Sequence, residues 1–242
     1  MASWSKGWRY AIVTLAALMP FAAGAASIAI NPISVRLDSE RAITTLQVRN
    51  HGNEAVVMQV AVNDWRIEKN EERYTPTDAL IVTPPIFTIP PGEEQVVRVG
   101  LREPTPATSE RAFRVFLEQV PSGDTRKGGS HVRINLRFGI PVFVAPRGGA
   151  APKVQWRARR LKDGRLQVTG SNQGNAHLRV SRLALLDANG KSLVETEGLT
   201  YLLAHTARDW TFPPPPPGRT SYRIKAWTQT GEIEAELKPG EP

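Results

Sequence analysis

Four histidines and two pairs of adjacent carboxylates are the side chains of this sequence best suited to catalysis or metal binding. His51, His131, His177 and His205 are scattered along the 242 residues, and two of them stand in Asn/Gly turns. A zinc site needs several ligands gathered by the fold, and acid–base or nucleophilic chemistry needs a base within hydrogen-bond reach of its partner. Scattered histidines meet neither demand unless distant loops converge, so they read as surface or turn residues. Glu71–Glu72 and Glu93–Glu94 fall in loop segments, where solvation explains adjacent charges without catalysis. No Gly-x-Ser-x-Gly, His-Glu-x-x-His or P-loop pattern occurs. Cysteine is absent, which removes thiol catalysis, Cys zinc sites and disulfides. The expectation is binding without turnover, with no metal and no cofactor.

What could bind is positive charge. Lys and Arg number 31 against 23 Asp and Glu, a formal charge of +8, which fits nucleic acid, an anionic surface or acidic groups on a partner. Nucleic acid is the weaker reading, and no such partner is expected. Trp65, Phe113, Phe116, Phe138 and Phe143 sit within apolar strand runs, where core packing is the default. The N-terminus also points to export. Residues 1–26 combine Lys6 and Arg9, a short apolar run and an Ala-x-Ala signal at Ala23–Ala25, the pattern of a cleaved secretory signal. Its removal lowers the charge from +8 to +6. The mature chain has no other segment of membrane length, so no membrane insertion is expected.

The elements that must position these charges read as short strands separated by turns. "ITTLQVRN" ends in the turn "NHGN", "AVVMQVAVNDW" is a longer apolar strand, and "ALIVTPPIFTIPPGEEQVVRVGL" holds two strand runs. "RAFRVFLEQV" stops at Pro121 before the Gly-rich hairpin loop "PSGDTRKGGS". In "HVRINLRFGIPVFVAP" (131–146), Val132, Ile134, Leu136, Phe138 and Ile140 alternate with polar, largely basic residues, the mark of a strand with one buried face. Some seven strands in this half of the chain argue for an immunoglobulin-type sandwich. "APRGGAAPK" (145–153) punctuates the chain, and "VQWRARRL", "GRLQVTGSN", "AHLRVSRLALLD" and "TSYRIKAWT" repeat the theme around the turns "NQGN" and "DANGK". The expected layout is a signal over 1–26, a first sandwich over 27–146, a linker over 147–152 and a second sandwich over 153–242. The prolines of "FPPPPPG" (212–218) read as a stiff connecting loop.

The stretches 79–99, 111–121 and 131–146, followed by "SNQGNAHLRVSRLALLDANG" (171–190), occur in the order and spacing of the PapD-like periplasmic chaperones of the chaperone–usher route, which the chain resembles. The entry "NPISVRL" resembles the archaic, spore-coat-U-associated branch. The resemblance implies an all-β fold of two immunoglobulin-like sandwiches set at an angle. It also implies two partners: a pilin or spore-coat-U-like fimbrial subunit, and an outer-membrane usher. In that family the strand at 131–140 is lent to a subunit lacking one, so Val132, Ile134, Leu136, Phe138 and Ile140 are the implied donor row. Alternation alone favours a row facing the chain's own core, and the resemblance reverses that preference.

Relatives also hold the subunit's C-terminal carboxylate with basic residues, one of them at the position filled here by Pro141. Arg114 is the implied substitute, Arg36 the candidate from the first strand, and Arg98 and Arg111 weaker ones. An exported two-domain adhesion or structural module that donates no strand is the alternative, with a hydrolase or sugar-binding sandwich as a further rival. The sequence leaves open whether the free chain self-associates.

Overall fold

The computed structural model describes residues 28–103, 107–121, 134–216 and 221–240. The export signal over 1–26 and donor-row residue Val132 lie outside them, as do most of the hairpin loop and the end of the proline run. Every regular element among the described residues is a strand. In chain order they are β1 (Ile28–Asn31), β2 (Val35–Leu37), β3 (Ile43–Asn50), β4 (Val56–Glu68), β5 (Glu71–Pro76), β6 (Leu80–Thr83), β7 (Ile86–Ile89), β8 (Glu94–Leu101), β9 (Arg111–Gln119) and β10 (Arg137–Val144). The second half adds β11 (Val154–Arg160), β12 (Leu166–Asn172), β13 (Leu178–Asp187), β14 (Ser192–Leu202), β15 (Ala207–Phe212), β16 (Tyr222–Thr228), β17 (Gly231–Leu237) and β18 (Pro239–Gly240).

The strands build two immunoglobulin-like sandwiches. In the first, the sheet β1-β3-β8-β6 faces the sheet β2-β10-β9-β4-β5, with β7 also paired to β4. In the second, β15-β12-β11-β18 faces β14-β13-β16-β17. Alternation drives both. Leu46 and Val48 of β3, Val97 and Val99 of β8, Met58 of β4, and Phe113, Val115 and Leu117 of β9 point inward to one core. A second core gathers Leu166, Val168, Leu183, Leu185, Tyr222 and Ile224. Burying each such aliphatic side chain is worth about 1.5–3 kcal/mol relative to exposure, the driving force for closing each pair of sheets.

The two asparagine turns read from sequence do the same work in each sandwich. Asn50 ends β3, and its Nδ2 donates to the carbonyls of Glu54, Ile89 and Pro90 while Oδ1 accepts from Gly52 N–H. Asn172 ends β12, donates to the carbonyls of Ala176, Leu202 and Leu203, and accepts from Lys153 and Gly174 N–H. Each buried amide thus satisfies several main-chain groups that would otherwise be stranded away from water.

One strand departs from expectation. Glu71 and Glu72 lie in β5, an edge strand paired with β4, and not in a loop. The hairpin is tight: Lys69 and Asn70 both adopt positive φ (49° and 68°) between the paired ends Glu68 and Glu71, the geometry of a two-residue type I′ turn.

Candidate functional site at the junction of the sandwiches

Alternation on β9 and β10 sends Phe113, Val115 and Leu117, and Ile140, Val142 and Val144, into the first core. The opposite face of the same sheet is where the chemistry collects. Arg114 stands directly across the ladder from Pro141, and Phe116 from Gly139. A side chain at 139 would meet Phe116 Cε1 at 3.1 Å and Arg114 Cδ at 3.3 Å, so glycine leaves room for both to lie over the strand.

The Arg114 guanidinium lies 3.8 Å over the Trp65 ring, donates through Nη1 to Gly139 O, and pairs through Nη2 with Glu72 Oε2 at 3.4 Å. The other carboxylate oxygen, Oε1, takes Nη2 of Arg208 at 3.1 Å. Arg208 belongs to β15 of the second sandwich, so Glu72 bridges the two units. Tyr74, on the same face of β5, donates its hydroxyl to Glu72 Oε2. Burial, and then that hydrogen bond to a carboxylate, raise the Tyr74 phenol above its usual range. Arg208 also donates to the carbonyls of Asn70 and Tyr201, and the Asn70 amide pairs in both directions with the backbone of Asp209.

Beneath the charges lies a small apolar cluster of Trp65, Ile67 and Phe143 from the first sandwich with Tyr201 and Leu203 from the second. Trp65 meets Tyr201 edge to face at 5.0 Å between centroids. Trp65 and Phe143, expected in a sandwich core, are buried at this junction instead. β4 is long enough to serve both places, with Met58 in the core and Trp65 in the joint.

His177 corrects a sequence expectation. It is buried, stacked on Phe143 at 3.6 Å, with Nδ1 2.7 Å from Glu110 Oε1, which also accepts from the His177 backbone N–H. Asn175 adds bonds to the carbonyls of Thr108 and Gly149 and accepts from Ala151 N–H. "NQGNAH" is therefore the turn that ties the sandwiches together. His51 and His205 are exposed as expected, His205 touching Ser109 Oγ at 2.8 Å. His131 lies outside the described residues. Among the described residues, no group of three or more His, Cys, Asp or Glu could hold a metal ion.

Of the four candidate arginines, only Arg114 enters this cluster. Arg36 is exposed on β2, opposite Phe143. Arg98 is exposed on β8, between Thr45 and Thr83, in the sheet that does not contain β10. Arg111 lies 4.9 Å over the Phe113 ring and opposite Val144. Arg208, Glu72 and Tyr74 were not anticipated. The signal for the last two was the period-two placement of Glu72 and Tyr74 in "EERYTP".

The apolar row is graded along its length. Ile134 is 73% exposed, Leu136 and Phe138 are half-buried, and Ile140 is 5% exposed within the core. β10 pairs with β9 throughout, but its other edge is covered by β2 only at Val142–Val144. From Arg137 to Pro141 that edge has no strand beside it among the described residues.

Two immunoglobulin-like sandwiches, joined at a cluster of arginines beside an uncovered strand edge, define a class of two-domain β proteins within which sequence fixes the family. Residues 27–150 match the N-terminal domain of PapD, described as a pili and flagellar-assembly chaperone, and the chain belongs to that family. It is similar to the uncharacterized fimbrial chaperone YhcA of Escherichia coli (strain K12), with 23% identity over 171 residues, 71% of this chain and 72% of the relative. It is also similar to the chaperone protein FimB/FhaD of Bordetella pertussis, with 27% identity over 156 residues, 61% and 63% of the two chains. Among solved structures, a chain of the CsuC–CsuE chaperone–tip adhesion subunit pre-assembly complex, from archaic chaperone–usher Csu pili of Acinetobacter baumannii, superposes with a TM-score of 0.68. It has 21% identity, over 89% of this chain and all of that one. The Escherichia coli chaperone DraB gives 0.61 at 22% identity, over 88% and 97%.

Proposed function

We propose that the chain is a periplasmic chaperone that holds a fimbrial or spore-coat-U-like subunit by donor-strand complementation and delivers it to an outer-membrane usher. The observation that carries this reading is the uncovered edge of β10 beside an apolar row that emerges from the core toward solvent. An incomplete subunit sandwich exposes unpaired strand edges and an apolar groove, both aggregation hazards. A lent strand satisfies the edges through its main chain and the groove through alternate side chains. Val132, Ile134, Leu136, Phe138 and Ile140 are the assigned row, with Ile140 shared with the chaperone's own core. Arg114 is the assigned carboxylate anchor. The assigned layout is an export signal over 1–26 that is cleaved, sandwiches over 27–146 and 153–242, and a linker over 147–152. The likeness to the Csu chain supports placing the protein in the archaic branch. The reading assigns the protein no turnover and no cofactor.

Periplasmic co-expression with a fimbrial subunit encoded beside the gene tests the reading. Leu136→Asp combined with Phe138→Asp is expected to abolish the soluble complex while the variant still purifies as a folded protein. A complex that survives both changes would falsify donation through this row.

A further inference from the structure

The ion cluster at the junction has the makings of a carboxylate-binding cradle. Arg114 and Arg208 come from opposite sandwiches, yet each directs one Nη2 at a different oxygen of the same carboxylate, at 3.4 and 3.1 Å. Their other bonded donors are held by backbone carbonyls: Gly139 O for Arg114, and Asn70 O and Tyr201 O for Arg208. What the two guanidiniums present jointly is a pair of charged N–H groups aimed at the two oxygens of one carboxylate, a charge-assisted arrangement that suits an anion of that shape. The charges do not balance, with two cations facing one anion. Two further buried donors at the same place, Arg114 Nε and Trp65 Nε1, have no acceptor among the described residues. Buried donors without acceptors call for an explanation.

Accessibility decides how a second carboxylate could arrive. The arginine side chains are 12% and 11% exposed, and Glu72, at 31%, lies over them. An anion from solvent therefore reaches the guanidiniums by taking the place of Glu72. We propose that Glu72 is an internal stand-in, and that a carboxylate of the captured chain displaces it from Arg114 and Arg208. The identity of that chain rests on the chaperone reading; the cradle does not. While no chain is bound, Glu72 spares the protein two unpaired buried cations, whose cost is high. Capture then becomes an exchange of one carboxylate for another.

The test follows the side-chain N–H resonances of Arg114 and Arg208 in the ¹⁵N-labelled full chain, titrated with sodium acetate against sodium chloride at equal ionic strength. In Glu72→Gln, acetate is expected to shift both arginines at a half-saturating concentration about tenfold below that of the native chain, the effect of removing one charge-assisted competitor. Equal half-saturation in the two proteins, or no acetate-specific shift in the variant, overturns the exchange. Should Glu72→Gln not fold, Tyr74→Phe, which removes only one bond holding Glu72, is expected to lower half-saturation by a smaller factor, and no change overturns the proposal. The two readings fail separately. Loss of subunit capture with a retained acetate response sinks the chaperone reading alone, and capture without an acetate response sinks the exchange alone.

Discussion

At the scale of single residues, two glycines with different surroundings have different duties. A Cβ at Gly174 would come within 2.3 Å of Ala151 O and 2.5 Å of Lys153 N, both backbone atoms that cannot step aside. Gly174→Ala is expected to cost about 3 kcal/mol, read from urea unfolding midpoints, because overpacking against fixed backbone forces the turn apart. At Gly139 the neighbours are side chains of Phe116 and Arg114. Alanine there should cost about 1 kcal/mol or less while displacing the guanidinium, so stability survives and carboxylate affinity falls. Tyr74 supplies a pH dependence. Its phenol is raised in the folded chain by burial and by Glu72, so its contribution is complete below the ordinary phenol value of about 10 and is lost as pH rises through the higher folded value. Unfolding midpoints of the native chain should fall more steeply above that value than those of Tyr74→Phe. Parallel curves would remove Tyr74 from the alkaline limb.

At the scale of elements, β10 and the segment leading into it divide between folding and exposure. Ile134→Asp alters a residue already in solvent and should change stability by no more than about 0.5 kcal/mol while weakening subunit capture. Ile140→Asp places an unpaired charge in the core and should cost about 3 kcal/mol or more. Equal stability losses in the two variants would refute the gradation. The alternation behind this strand was legible in the sequence, because period two is a local property of consecutive residues. So were the asparagine turns, each closing within a few positions. β5 was not: its six residues carry no apolar stripe, since it is an edge strand with most of its side chains in solvent. Its role comes from Glu72 and Tyr74 meeting arginines far away in the chain. His177 was misread for a related reason. It is buried where it stacks on Phe143 and meets Glu110, 67 positions earlier, and no local pattern encodes that meeting.

At the scale of the molecule, the joint is held by a small apolar cluster and by buried polar pairs, so it should behave as a cooperative latch. Removing Glu110 leaves both the backbone N–H and the ring Nδ1 of buried His177 without their acceptor. Glu110→Ala is expected to cost about 2–3 kcal/mol and to split one calorimetric unfolding transition into two, as the sandwiches uncouple with their cores unchanged. A single transition at the native temperature would exclude this latch. The register of the first sandwich has a consequence for direction and length. β2 runs parallel to β10 and occupies its edge at Val142–Val144, which makes the uncovered edge a berth with a wall at one end. A guest strand laid alongside in the same direction as β2 must stop before Val142. Its last residue then comes to rest at Pro141, which has no N–H to offer for further pairing, on the rung that carries Arg114. A guest that overran this point would collide with β2, and one that fell short would leave its terminal charge away from the arginines. Under the proposed capture, the fold sets where a visiting chain ends.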